Sequence, residues 1–155
     1  RMNEFMTIVF LGQVGATMAM LGIVWFAQIV HYPLFAKVDP GSFVPYQNFN
    51  LSRTVLIVIP LQMIELGTAL LLVWKTPAGL LPLQVWSNLV LIVFIWCSTA
   101  FLQVPQHQRL TRGFDAKGIN LLISTNWIRT IGWSLRCVIV LWMIQTLIYP
   151  LTLTQ

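Results

Sequence analysis

Acidic side chains are almost missing from this chain. Four Asp and Glu stand against nine Lys and Arg, and charged residues make up only 8% of the total. With 57% hydrophobic residues over 155 positions, there is too little polar surface to cover a water-soluble globule. Cysteine is equally scarce. Cys97 and Cys137 are isolated within apolar runs, so no disulfide framework and no Cys-based zinc motif is expected, and both are read as small hydrophobes of the spans. Strict apolar–polar alternation is absent, which argues against a transmembrane β-barrel. The basic residues form no stripe, so the formal charge of +5 is not a nucleic-acid footprint. No nucleic-acid partner is expected.

What the chain has is long apolar runs. Four of them, about 5–30, 54–74, 81–104 and 119–149, each reach the roughly 20 residues of helix needed to cross a hydrocarbon core. The expectation is an all-α, polytopic transmembrane four-helix bundle, a single transmembrane domain over 1–155. Arg1 precedes Met2, an initiator candidate, and is set aside as an expected cloning remnant. The first run is too long for a signal-peptide core and lacks a small-residue cleavage site, so it is expected to remain in the mature protein.

Loop one, His31 to Arg53, carries Lys37 and Arg53, and loop three, Pro105 to Gly118, carries Arg109, Arg112 and Lys117. The opposite face offers Lys75. The positive-inside bias therefore predicts cytoplasmic loops one and three, with both termini outside. Asn50-Leu51-Ser52 fits a glycosylation acceptor, but in a loop predicted cytoplasmic it is discounted. Pro33, Pro40, Gly41 and Pro45 punctuate loop one among five aromatic residues, which predicts a short interfacial or re-entrant segment.

Within the runs, Gly12, Gly15, Ala16, Ala19 and Gly22 allow close backbone approach and predict helix packing. Polar residues fall on one face of each helix at helical spacing. Gln13, Thr17, Gln28 and His31 mark the first. Gln62, Glu65 and Thr68 mark the second, behind Pro60, which should kink it. Gln84, Asn88, Thr99 and Gln103 mark the third. His31-Tyr-Pro and Pro105-Gln-His, each following an odd-numbered run, hint at a duplicated hairpin. Methionines 18, 20, 63 and 143 are read as packing.

Toward the head of the fourth run stands "NWIRTIGWSLR", residues 126–136. Asn126, Arg129, Thr130, Trp133 and Arg136 share a sector of roughly 120°, with the two cations about 10 Å apart along the axis. An arginine at mid-bilayer costs at least about 2.5 kcal/mol, so it should be paired or line a cavity. Glu65, the only carboxylate within a span, is the expected ion-pair partner of Arg136; such a pair can simply pin helix two to helix four.

His31 and His107 end helices that run in the same direction, so both reach one membrane face. With Arg53, Arg129, Arg136, Gln103, Asn126, Tyr46 and Trp133 they outline an expected cytoplasmic-facing vestibule. Guanidinium forks above an apolar aromatic space suit a ligand with an anionic or quinone-like head and a greasy body, with His31 or His107 as acid or base. The opposing reading has the arginines on lipid phosphates and the histidines on loop carbonyls. No metal site is expected; the alternative set would be His31, His107 and Glu65. The cofactor is left unknown.

The run "WFAQIVHYPLF" after a small-residue first helix, followed by a Pro- and Glu-bearing second helix and two further spans, resembles small four-helix bacterial membrane proteins of the anthrone-oxygenase-like kind. The resemblance implies a membrane oxygenase acting on a polycyclic phenol, without an assigned cofactor, and it carries over no catalytic residue. A bacterial inner membrane is the expected location. Three function classes stay open. They are an enzyme or binder for a lipophilic small molecule, an accessory subunit of a larger membrane complex, and a small transporter acting as a homo-oligomer among membrane lipids.

Overall fold

The computed structural model describes residues 2–149; Arg1 and the last six positions, which include the C-terminus of the topology reading, lie outside them. The helices are α1 (Glu4–Phe26), α2 (Tyr32–Phe35), α3 (Phe43–Trp74), α4 (Pro82–Ser98), α5 (Val104–Leu110) and α6 (Ala116–Ile148). A π-helical turn joins α1 to α2 at Ala27–His31, and another joins α4 to α5 at Thr99–Gln103. Four continuous helices result, each long and apolar enough to cross a membrane, and among the described residues there is no strand. This is a transmembrane four-helix bundle.

Local chemistry sets the helix ends. Asn3 caps α1 by accepting from the Met6 amide at 2.8 Å. Asp115 caps α6, accepting from the Lys117 and Gly118 amides at 3.1 Å, and it pairs with Arg109. The Gly118 amide, ahead of the Arg109 charge, holds the Asp115 carboxyl below the usual aspartate range, because hydrogen bonds to the ionised form favour it. Gly79 takes a φ of 99° in the turn between α3 and α4, a backbone shape that glycine adopts freely.

Both π turns precede a proline by the same interval, at Pro33 and Pro105. A proline within a helix has no amide to donate, and its ring crowds the carbonyl four residues back. A widened turn accommodates that crowding, with the Tyr32 amide bonding Ala27 and the Val104 amide bonding Thr99. Each hairpin, α1/α3 and α4/α6, thus starts with a helix bearing the same device. The hint of duplication in the two His–Pro motifs has a structural counterpart here.

These turns also correct the reading of the loops. Pro33 and Pro105 do not stop their helices, and α3 starts at Phe43, so most of loop one is helix and only residues 36–42 turn. Its aromatic residues form the reason: Tyr32, Phe35 and Phe43 are buried together with Leu110, Ile119 and Leu122. Loop one thus extends the two helices on either side of a short turn.

In the bundle, α1 packs on α3 and α6, and α4 packs on α3 and α6. Helices α3 and α6 are therefore diagonal, and side chains from the two meet on the bundle axis. Gly132 sits where α6 approaches α4; a Cβ there would fall 2.8 Å from Ile95 Cγ1. The small-residue stripe of α1 is split. Gly12 and Ala16 face into the packing, but Gly15, Ala19 and Gly22 face outward, with open space beside both glycines.

Candidate functional site

The polar seams converge on the axis. Arg136 and Glu65 form an ion pair, both side chains fully buried, across the α3–α6 diagonal. The Trp133 indole N–H lies 3.1 and 3.0 Å from the two Glu65 oxygens, and Arg136 Nε donates to Asn88 Oδ1 at 3.2 Å. On the other side of Trp133, the Arg129 guanidinium lies 5.3 Å from its ring centroid, a cation–π distance. Arg129 donates to Asn126 Oδ1 at 3.2 Å, and Asn126 in turn donates to Gln28 at 2.9 Å. One polar column therefore links Asn88, Arg136, Glu65, Trp133, Arg129, Asn126 and Gln28.

Next to that column lies a cavity of about 340 Å³ between the end of α1, the first half of α3 and the π turn after α4. Its polar lining is His31, Tyr32, Asn50, Thr54, Gln62, Thr99, Gln103, His107 and Arg129; the rest of the wall is aliphatic apart from Phe26. Both π turns contribute to it, His31 from one and Thr99 and Gln103 from the other. An extra residue in a turn rotates the side chains that follow it, and such turns recur at functional sites.

The two imidazoles flank Tyr32, whose ring centroid lies 5.9 Å from that of His31 and 5.7 Å from that of His107. Asn50 Oδ1 can only accept, so His31 Nε2 carries the proton in their 2.8 Å contact. Gln47 Nε2 donates to His107 Nδ1 at 3.2 Å. That leaves His107 Nε2 as the protonated nitrogen facing the Tyr32 hydroxyl at 3.4 Å, and the hydroxyl proton is free to point elsewhere.

Three lining residues, each more than nine-tenths buried, carry an atom with no hydrogen-bond partner: Gln62 Nε2, Gln103 Oε1 and Arg129 Nε. Gln103 spends its own amide N–H on Thr125 at 2.7 Å. Two donors and one acceptor at this wall are thus uncommitted. Among the described residues the salt bridges are Arg109–Asp115 and Arg136–Glu65, so Arg129 is a buried cation with no carboxylate.

Of the residues expected in the vestibule, His31, His107, Gln103 and Arg129 line this cavity, whereas Asn126, Trp133 and Arg136 belong to the column beside it. Arg53 is exposed, 5.1 Å over the Phe49 ring. Tyr46 packs on Phe35 and Phe43. The alternative metal set is not assembled: among the described residues no three His, Cys, Asp or Glu side chains group together, since Glu65 is held by Arg136 and Trp133. Sequence reasoning missed Tyr32, Gln47 and Asn50. They lay in what read as a loop; helical phase carried through it would have set Gln47, Asn50 and Thr54 on one face at steps of three and four.

The fold and this column define an integral membrane protein with a polar interior. No family model matches the chain, and no curated protein and no solved structure matches it.

Proposed function

We propose that the cavity receives the polar head of a lipophilic ligand, anionic or quinone-like, whose body occupies the aliphatic walls. The observation that carries this reading is Arg129, buried at the cavity wall without a carboxylate partner among the described residues. On the gentlest scale a charge in hydrocarbon costs about 2.5 kcal/mol or more, and an anionic or strongly accepting head offsets that cost. Gln62 Nε2 and Gln103 Oε1 supply further bonds, while His31, Tyr32 and His107 supply groups that hold or move a proton. With loops one and three in the cytoplasm of a bacterial inner membrane, the head lies toward the cytoplasmic side.

Catalysis at the two histidines is one outcome of such binding. A non-catalytic subunit of a larger complex is the second reading, favoured by the outward small-residue face of α1. A dimeric transporter draws on the buried charges. Native mass spectrometry of protein purified in mild detergent tests the binding itself. A one-to-one adduct with an anionic or quinone-type lipophile is expected on the native chain and not on Arg129→Met. Equal adducts on both, or none on either, count against the proposal. An absorption band on the native protein would add a chromophoric cofactor.

A further inference from the structure

The first half of α3 stands clear of the bundle. Steps of three and four residues along its inward face give Gln47, Leu51, Thr54, Val58, Gln62 and Glu65. The first and the last two of these are buried, but Thr54 is exposed and Leu51 and Val58 are half-buried, and all three line the cavity. An inward side chain that still reaches the surface faces a gap and not a neighbouring helix. Ile57 and Ile59, about 100° to either side of Val58, also line the cavity and are exposed. The cavity therefore wraps both flanks of α3, with exposed Phe26 of α1 and Val104 of α5 in the lining across from it. All four rim side chains are apolar. With α3 centred in a hydrocarbon core of about 30 Å, residues 51–59 lie within about 11 Å of the midplane, at the depth of the acyl chains.

Toward the loops the cavity is closed. Each helix that lines it runs on into one apolar cluster: Phe35 four residues after His31, Phe43 seven before Asn50, Leu110 three after His107 and Leu122 seven before Arg129. All four side chains are fully buried, one or two helical turns nearer the loop face than the polar lining. A solute in the water on that face meets this plug, whereas a molecule among the acyl chains meets an open flank. We propose that the ligand passes between bilayer and cavity sideways, along the flanks of α3, and that it is a lipophile dissolved in the membrane instead of a solute of the aqueous phase. This rests on the cavity reading above and adds the ligand's source and its route.

Two photoreactive probes on native protein in phosphatidylcholine nanodiscs test the route. One is an uncharged aryl diazirine that partitions into acyl chains, and the other is an aryl diazirine bearing a sulfonate, confined to water. Adducts are located by peptide mass spectrometry, with exposed Leu56 on the outer side of α3 as the reference. The uncharged probe is expected on Thr54 and Val58, and on Ala27 and Thr99 behind α3, at levels comparable with Leu56. The sulfonate is expected on none of these four. Uncharged adducts that stop at Leu56 and the outer surface, or sulfonate adducts inside the cavity, overturn the lateral route and leave the cavity reading to its own Arg129-dependent adduct. Lateral labelling with no Arg129-dependent adduct in native mass spectrometry overturns the cavity reading, and the route falls with it.

Discussion

Replacing Glu65 by glutamine removes, among the described residues, the only carboxylate paired with Arg136 on the bundle axis. Both side chains are fully buried, and the guanidinium would keep only neutral acceptors, Asn88 at Nε and the new amide oxygen at Nη1, with no counter-charge, while Nη2 already has no partner. Breaking a buried pair from one side costs about 3–5 kcal/mol, and Glu65→Gln should fall in that range. Arg136→Met leaves the carboxylate with the Trp133 N–H and should sit at the lower end. The double change removes both charges and should cost less than either alone, giving a coupling of at least about 3 kcal/mol. Unfolding in mixed micelles of mild detergent and dodecyl sulfate, followed by circular dichroism, measures all four corners of the cycle. Single costs that sum to the double within about 0.5 kcal/mol would show no coupling and refute the reasoning.

Gly132→Ala should destabilise by about 1–3 kcal/mol through overpacking, since its Cβ would press on Ile95; combining it with Ile95→Ala should cost less than the two singles together, which the same unfolding assay reads. The Asp115 carboxyl is held below its unfolded value by the Gly118 amide and Arg109. Its contribution is therefore fully present above the unfolded aspartate pKa and lost as pH falls through the lowered folded one. Asp115→Asn should keep the α6 cap and flatten that acid-side slope in thermal unfolding. For the proposed topology, cysteine-free protein carrying Thr76→Cys should react with an impermeant maleimide on intact cells. Gln108→Cys should react only after permeabilisation, and the reverse pattern inverts the orientation.

The bundle was legible because four apolar runs leave no other way to satisfy backbone groups in lipid. The seam residues were legible for a related reason: Gln62, Glu65, Asn88, Asn126 and Arg136 are polar where polarity is costly, and helical spacing puts them on inward faces. Harder to read were the helix ends. Proline signals a stop, yet at Pro33 and Pro105 a π turn absorbs it, and that register shift has no periodic signature. The outline of the cavity was blurred by the same omission, since Asn50 and Tyr32 reach it only when loop one is helix. Arg53 is a further case: its position at a helix start suggested the site, but its phase on α3 turns it outward to Phe49. The α1 glycines read as packing because sequence spacing does not say which side of a helix the neighbours occupy.

An experimental density map of the protein in nanodiscs made from its own membrane lipids would show whether the cavity holds a ligand. Elongated density is expected in the cavity, with a polar head in hydrogen-bond reach of Arg129 Nε and flanked by His31, Tyr32 and His107. An Arg129 side chain turned outward to lipid headgroups, or His31 and His107 on opposite sides of the bundle with no space between them, would contradict it.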